Sequence, residues 1–218
     1  LKDSADNPVS FNEMANKDDL SDLGSAAFHN GPVSFSADET RAFVTRSQDR
    51  ALRDTSGRWI YALKLEVMDL DESGSWKTVE GAFPYNDSTF SSAHSALDTL
   101  GNLIFSSDRP GGLGGMDLWM CKKGANGFEA PMNLGAAVNT SGNDVFPYVN
   151  SANQLYFSTD GRVGFGGLDL YKHDMESGST ELLGAPVNSF ADVFALHVDA
   201  TGVGYMSSTR EGGIVHIY

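Results

Sequence analysis

Two strings of this chain set aspartates on either side of a glycine-rich run. Asp108 and Asp117 bracket Arg109-Pro-Gly-Gly-Leu-Gly-Gly-Met116, and Asp160 and Asp169 bracket Gly161-Arg-Val-Gly-Phe-Gly-Gly-Leu168. Gly114-Gly115 and Gly166-Gly167 hold the same place in each. Carboxylates in a flexible turn suggest calcium, which takes about six to eight oxygens. The run is near the glycine-rich nonapeptide of calcium-binding β-rolls. Its spacing, however, has one residue too many, and the unit recurs at about 50 residues rather than about nine. Asp108, Asp117, Asp160 and Asp169 are therefore expected to accept backbone N–H bonds that lock hairpin turns. Ligation of Ca²⁺ by the same four is the alternative chemistry, and no other cofactor is expected.

Other reactive groupings are thin. The histidines are His29, His94, His173, His197 and His216, with no i, i+4 or H-x-H pair, so zinc has little support. His29 and His94 precede the inner strands of successive repeats and are placed to approach a common centre. Hydrogen-bonded structural histidines are the expected role. Cys121 is the sole cysteine, which excludes an intrachain disulfide and a Cys-rich zinc site. There is no G-x-S-x-G elbow. Gly111 to Gly115 lacks the Lys-Ser/Thr and the following helix of a phosphate loop. No catalytic residue is assigned, and the chain is expected not to be an enzyme.

These groups must be held by the rest of the 218 residues. Basic residues number 15 and acidic residues 29, for a formal charge of −14. Such a chain repels phosphate backbones and anionic lipid, so nucleic acid is not an expected partner. No apolar run reaches the ~20 residues of a membrane span. The longest, Trp59 to Met68, is broken by Lys64 and Glu66. Helix-forming stretches are nearly absent, the best being Asn12 to Leu23. Lys17 to Asp22 reads as a solvated acidic loop. Short β-rich runs between turn signals dominate: Pro32–Ser36, Arg41–Thr45, Trp59–Met68, Asn102–Ser107, Gln154–Ser158 and Gly202–Ser208.

An internal repeat decides the architecture. Phe157 and Asp169 stand 52 residues after Phe105 and Asp117. A third copy, Val203 to Tyr218, has Thr209 and His216 where the aspartates would stand. The intervening sequence repeats too: Asn133-Leu-Gly-Ala-Ala-Val-Asn139 with Leu182-Leu-Gly-Ala-Pro-Val-Asn188, and Asp144-Val-Phe with Asp192-Val-Phe194. A divergent first copy starts at Gly31 and places Arg46 and Trp59 at the aspartate positions. About four strands in ~50 residues is the pattern of a β-propeller blade. The expected fold is all-β, a propeller of four-stranded blades with about four repeats here and five or six in an intact protein. The repeats span 31–92, 93–143, 144–191 and 192–218. Residues 1–30 form an N-terminal segment in which Asn7 to Asn12 supplies a closing strand or the remnant of a preceding blade. Phe105, Leu118, Phe157, Leu170, Met206 and Ile217 are expected to pack between blades, and the last blade lacks its fourth strand.

In order, the strings Gly31-Pro-Val-Ser-Phe-Ser36, Phe105 to Asp117, Pro131-Met-Asn-Leu-Gly135, Leu155-Tyr-Phe-Ser-Thr-Asp-Gly161, Gly166-Gly-Leu-Asp-Leu-Tyr171 and Ser207-Ser-Thr-Arg-Glu-Gly-Gly213 resemble the PD40 repeat. This WD40-like, TolB-type propeller repeat occurs in the OmpA-family proteins of Bacteroidota, a group that includes PorE-type proteins of the type IX secretion system. The resemblance covers Gly31 to Tyr218. It implies a periplasmic lipoprotein associated with the outer membrane, whose propeller is a protein-binding scaffold for other envelope or secretion-system proteins. Peptidoglycan would be bound only through a separate domain. A carbohydrate-binding or glycoside-hydrolysing propeller is the alternative. The paired-Asp motif is intact in two of the four copies, a departure from the family pattern. Asp3-Ser-Ala5, Asp87-Ser-Thr89 and Asp98-Thr-Leu100 resemble the O-glycosylation tripeptide of Bacteroidota, at a frequency that chance supplies.

Overall fold

The computed structural model describes residues 30–53, 57, 59–198 and 203–218. Strands form where short apolar runs end in turn residues, and no helix occurs among the described residues. The first sheet runs β1 (Asn30–Phe35), β2 (Arg41–Arg53), β3 (Trp59–Leu70), β4 (Trp76–Thr78). The second holds β5 (Ser92–Leu97), β6 (Leu103–Ser107), β7 (Asp117–Cys121) and, past a small hairpin of β8 (Lys123–Gly124) and β9 (Gly127–Phe128), β10 (Met132–Asn133). The third is β11 (Asp144–Val149), β12 (Gln154–Thr159), β13 (Asp169–Asp174), β14 (Thr180–Leu182). The fourth has three described strands: β15 (Val193–Val198), β16 (Gly204–Glu211), β17 (Ile214–Ile217). All pairings are antiparallel. The first strands pack on one another in turn, β1 on β5, β5 on β11 and β11 on β15. This is the expected β-propeller, with four blades.

Both faces of a middle blade are covered, so its strands are apolar on both sides. Every residue of β6 and β7 is buried. Leu103, Phe105 and Trp119 pack with Phe43, Leu65 and Val67 of the first blade. Their strand neighbours Ile104, Leu118 and Met120 pack with Leu155 and Phe157 of the third. Phe105, Leu118, Phe157 and Leu170 are fully buried. Ile217 departs from expectation at 77% exposed, because among the described strands β17 packs appreciably on β16 alone and no neighbouring blade covers its face. Asn7 to Asn12 and the helical candidate Asn12 to Leu23 lie outside the described residues.

The first blade corrects the alignment read from sequence. Its central hairpin is longer, with β2 and β3 pairing as far as Arg53 opposite Trp59. Arg46 faces Lys64, as Ser107 faces Asp117 in the second blade. Lys64, not Trp59, therefore holds the position of Asp117. The extra length comes from six further residues on β2, Gln48 to Arg53, accommodated by a bulge between Ser47 and Ala51.

The glycine pairs set how closely blades approach. A Cβ on Gly114 would come within 2.5 Å of Thr140 O and of the Ser141 carbonyl carbon in the next linker. A Cβ on Gly166 would meet the Phe190 backbone at 2.8 Å. With no side chain there, Met116 N–H donates to Asn143 Oδ1 (3.1 Å) and Met116 O accepts from Asp144 N–H (2.6 Å). The third blade repeats this latch: Leu168 N–H to Asp192 Oδ1 (2.9 Å) and Val193 N–H to Leu168 O (2.7 Å). Gly114→Ala should therefore destabilise by about 1–3 kcal/mol, the usual cost of overpacking. Gly184→Ala is the control, since a Cβ there meets nothing within 4 Å. Urea denaturation should show it neutral or slightly stabilising.

Candidate functional site

The two aspartates of each motif do separate jobs. Asp117 folds the turn: Leu113 N–H donates to Oδ2 (2.5 Å) and Gly114 N–H to Oδ1 (3.2 Å), while Asn133 Nδ2 donates to Oδ2 (2.8 Å). Asp169 does the same with Phe165 N–H (2.8 Å) and Gly166 N–H (3.0 Å), both on Oδ2. Asp108 and Asp160 instead hold the chain entering their own blade. Ser91 N–H donates to Asp108 Oδ1, and Asn143 N–H to Asp160 Oδ1, each at 2.6 Å. Among the described residues no group of three or more His, Cys, Asp or Glu is arranged to hold a metal ion.

Two further repeat residues stitch the blades, and sequence reasoning assigned them no role. Buried Asn139 takes the Leu118 N–H on Oδ1 (2.7 Å) and returns an Nδ2 donor to Leu118 O (2.9 Å). Asn188 does this to Leu170, and Asn86 to Leu65. Arg109, Arg162 and Arg210 lie over Trp119, Tyr171 and Tyr218. Each donates to carbonyls of the preceding linker: Tyr85; Ala137 and Val138; Pro186 and Val187. The signal for Asn139 and Asn188 was the repeated Val-Asn before the third and fourth blades; Asn86 follows Tyr85 and lacked it. For the arginines it was their recurrence at or just past the end of the second strand.

Residues of the four inner strands line a cavity of about 590 Å³ that is open to solvent. Each of β5, β11 and β15 carries a bulge, and His94 (φ 49°), Phe146 (φ 53°) and Ala195 (φ 54°) occupy its left-handed position. The His94 ring stacks on Phe146 at 3.9 Å, and Phe146 packs on Phe194 at 5.1 Å. Burial pushes the His94 imidazole down to about 4, so it is neutral at pH 7. His197 also lines the cavity, edge-on to Tyr148. Glu39 is the single carboxylate among the described lining residues, and Lys and Arg are absent from them.

The remaining chemistry is structural. His173 Nδ1 lies 2.8 Å from Thr180 Oγ1. Thr180 donates its proton to Ala137 O (2.6 Å), so it accepts from His173 and is not an activated nucleophile. Burial pushes the Cys121 thiol up to about 12, far from a reactive thiolate. His216 sits on β17 beside Tyr218. His29, Lys17 to Asp22 and Asp3 to Ala5 lie outside the described residues. Asp87 and Asp98 accept N–H bonds from Thr89 and Leu100 two residues on, so both tripeptides are turns.

No family model and no curated protein matches this chain. Among solved structures it is similar to a puromycin-hydrolyzing peptidase of Mycobacterium tuberculosis, with a TM-score of 0.50 and 14% identity over 86% of this chain and 28% of that one. It is also similar to an alpha-L-arabinofuranosidase of Lactobacillus brevis (TM-score 0.46, 9% identity, 77% of this chain and 61% of that one). A third is the Dos1 propeller (TM-score 0.44, 10% identity, 82% and 56%). The chain spans less than two thirds of each. At these identities the likeness is one of fold.

Asp169→Ala should destabilise by about 1–3 kcal/mol, because two turn N–H groups lose their acceptor. Added Ca²⁺ or chelator should leave the melting temperature unchanged; a saturable rise with Ca²⁺ would establish ligation instead. His94 gives a pH signature. Below the ordinary value of 6.5 the unfolded chain takes up a proton that the folded imidazole refuses until about 4. The fold should therefore lose stability as pH falls through this window and gain nothing from His94 above it. Denaturation curves at pH 7 and 4.5 should differ by roughly 2 kcal/mol less in His94→Phe than in the parent.

Proposed function

We propose that this chain is a non-catalytic binding propeller. It acts as a protein-docking scaffold of the PD40 type in a periplasmic, outer-membrane-associated protein of the OmpA family, linked to type IX secretion. The observation that supports a binding role is the composition of the central cavity. Hydrolysis of glycosides takes two carboxylates across the scissile bond. Glu39 alone is offered there, on an exposed turn. Rigid blades latched edge to edge present fixed loops around the ring, the usual setting for recognition. The location and partner class follow from the resemblance of the repeat strings, and the peptidase and arabinofuranosidase are similar only in fold.

The test has two parts. The purified chain should show no turnover of nitrophenyl glycosides, esters or peptides. A rate abolished by Glu39→Gln would make it an enzyme. Affinity purification of the tagged protein from the native envelope should retain envelope or secretion-system proteins. Recovery of none, or of cytosolic proteins alone, would remove the scaffold reading.

A further inference from the structure

Among the described residues the outer edge of the fourth blade stands open. Met206 and Tyr218 exchange both backbone bonds, at 3.1 and 2.9 Å. By the alternation of an antiparallel ladder, Ile217 then turns its own N–H and C=O away from β16. Ile217 faces Ser207 as Leu118 faces Ser106 and Leu170 faces Ser158, so the three positions are equivalent. In the second and third blades this residue is met by the linker that enters the next blade. Leu134 N–H donates to Leu118 O and Leu183 N–H to Leu170 O, each at 3.1 Å. Asn139 and Asn188, farther along the same linkers, bond both backbone groups of Leu118 and Leu170. No described residue does this for Ile217, and Ile214, Val215 and Ile217 are each more than half exposed. An apolar open edge of this kind is one that proteins cover.

The sequence holds a third copy of the covering string. Leu134-Gly-Ala-Ala137 and Leu183-Gly-Ala-Pro186 lead into β11 and β15, and Leu23-Gly-Ser-Ala-Ala27 leads into β1. Gly135 and Gly184 stand nine residues before those strands, and Gly24 stands six before β1. The shorter run is long enough. Asp144 N–H is bonded to Met116 O, two residues before Leu118 on one strand, so the linker bridges roughly 7 Å. Six residues extend to about 20 Å. Phe28 stands four residues after Gly24, as Tyr85 stands four after Gly81, and Tyr85 packs on the core between the first two blades. Residues 1–29 fall short of the ~50 residues of a blade, so what they can offer an open edge is one covering segment. Asn7 to Asn12 is the poorer match, because Pro8-Val-Ser-Phe11 copies Pro32-Val-Ser-Phe35 of the inner strand β1. The first and fourth inner strands line one cavity, so the two blades to be joined face a common centre. We propose that residues 23–29 lie along the outer edge of β17, with Leu23 N–H donating to Ile217 O and Phe28 packed on Ile217. This segment joins the fourth blade to the first and closes a ring of four. The closure goes beyond the docking reading and does not rest on it.

The experiment is amide-resolved hydrogen exchange and nuclear Overhauser spectroscopy on the full, isotope-labelled chain. The Leu23 amide should exchange at least about tenfold more slowly than an unbonded amide, the protection of one closed hydrogen bond. Contacts should appear between the Phe28 ring and the Ile217 methyls. Leu23→Pro removes the donor. It should speed exchange at the Met206 and Tyr218 amides by a similar factor and leave Ile104 and Phe105 of the second blade unchanged. Should that variant disorder the fourth blade, the Phe28–Ile217 contacts of the parent still decide. A mixture of labelled and unlabelled chains fixes the source of the segment. Contacts within one molecule support the closure; contacts only between labelled and unlabelled chains place a second copy on the edge and overturn it. The proposal also fails if the Leu23 amide exchanges at the unbonded rate or if Phe28 shows no contact with Ile217. The edge is then open to a strand from another protein.

Discussion

Everything in this ring depends on one close approach: the backbone of each glycine-pair turn against the chain that enters the next blade. A β-sheet blade alone would leave two apolar faces in water, so it must be covered by neighbours on both sides. Apolar packing supplies the attraction but not the register. The latch supplies the register, because a backbone N–H and C=O from one turn must meet two fixed partners at the start of the next inner strand. Only residues without a side chain let the backbones come that near. The first blade lacks the glycine pair, yet its Leu63 N–H still reaches the next linker, donating to Ser91 Oγ (3.1 Å).

The polar residues buried between blades follow the same logic. Asp117, Asp144 and Asp169 are almost wholly removed from solvent, as are Asn139 and Asn188. Burying such groups is costly unless their bonds are made; Asp144 and Asp169 bond through Oδ2, and each leaves a buried Oδ1 without a partner. The asparagines meet this demand with a two-point bond to a single residue of the third strand, which fixes the end of each blade. Burial raises the Asp144 carboxyl, against the Thr140 N–H and hydroxyl bonds to its Oδ2 that lower it. The arginines add a planar contact, lying over an aromatic while reaching back to a linker carbonyl. The second and third blades are thus tied forward by the turn and backward by the arginine.

Much of this was legible in the chain. The recurrence of Phe-Ser-Ser/Thr-Asp and of the glycine pair at a fixed offset gave the blade, because the same physical interface recurs and demands the same residues. Asp117 and Asp169 could be placed in turns from spacing alone. The division of labour with Asp108 and Asp160 could not, since the partners of Asp108 and Asp160 lie 17 residues earlier in the chain. Ser92–Leu97 was not recognised as a strand, because Ser-Ala-His-Ser-Ala-Leu has weak β-propensity. Position at the ring's centre, between β1 and β11, overrides that propensity. Blade one was misaligned because an extended hairpin moves the turn away from the repeat's register.

The inner strands show where the repeat stops serving the fold. Outward of them, equivalent positions carry equivalent residues, since each sees the same interface. At the bulge, the left-handed position holds His94, Phe146 and Ala195 in successive blades. Glycine would be the unstrained choice at all three. A stability argument therefore accounts for the latch, the asparagines and the arginines but runs against these three residues. Their side chains are retained despite the backbone cost, and what two of them build together is the stacked wall of the central cavity. Repetition marks the scaffold of this molecule, and departure from repetition, on strained backbone around a shared cavity, marks the part that recognition can use.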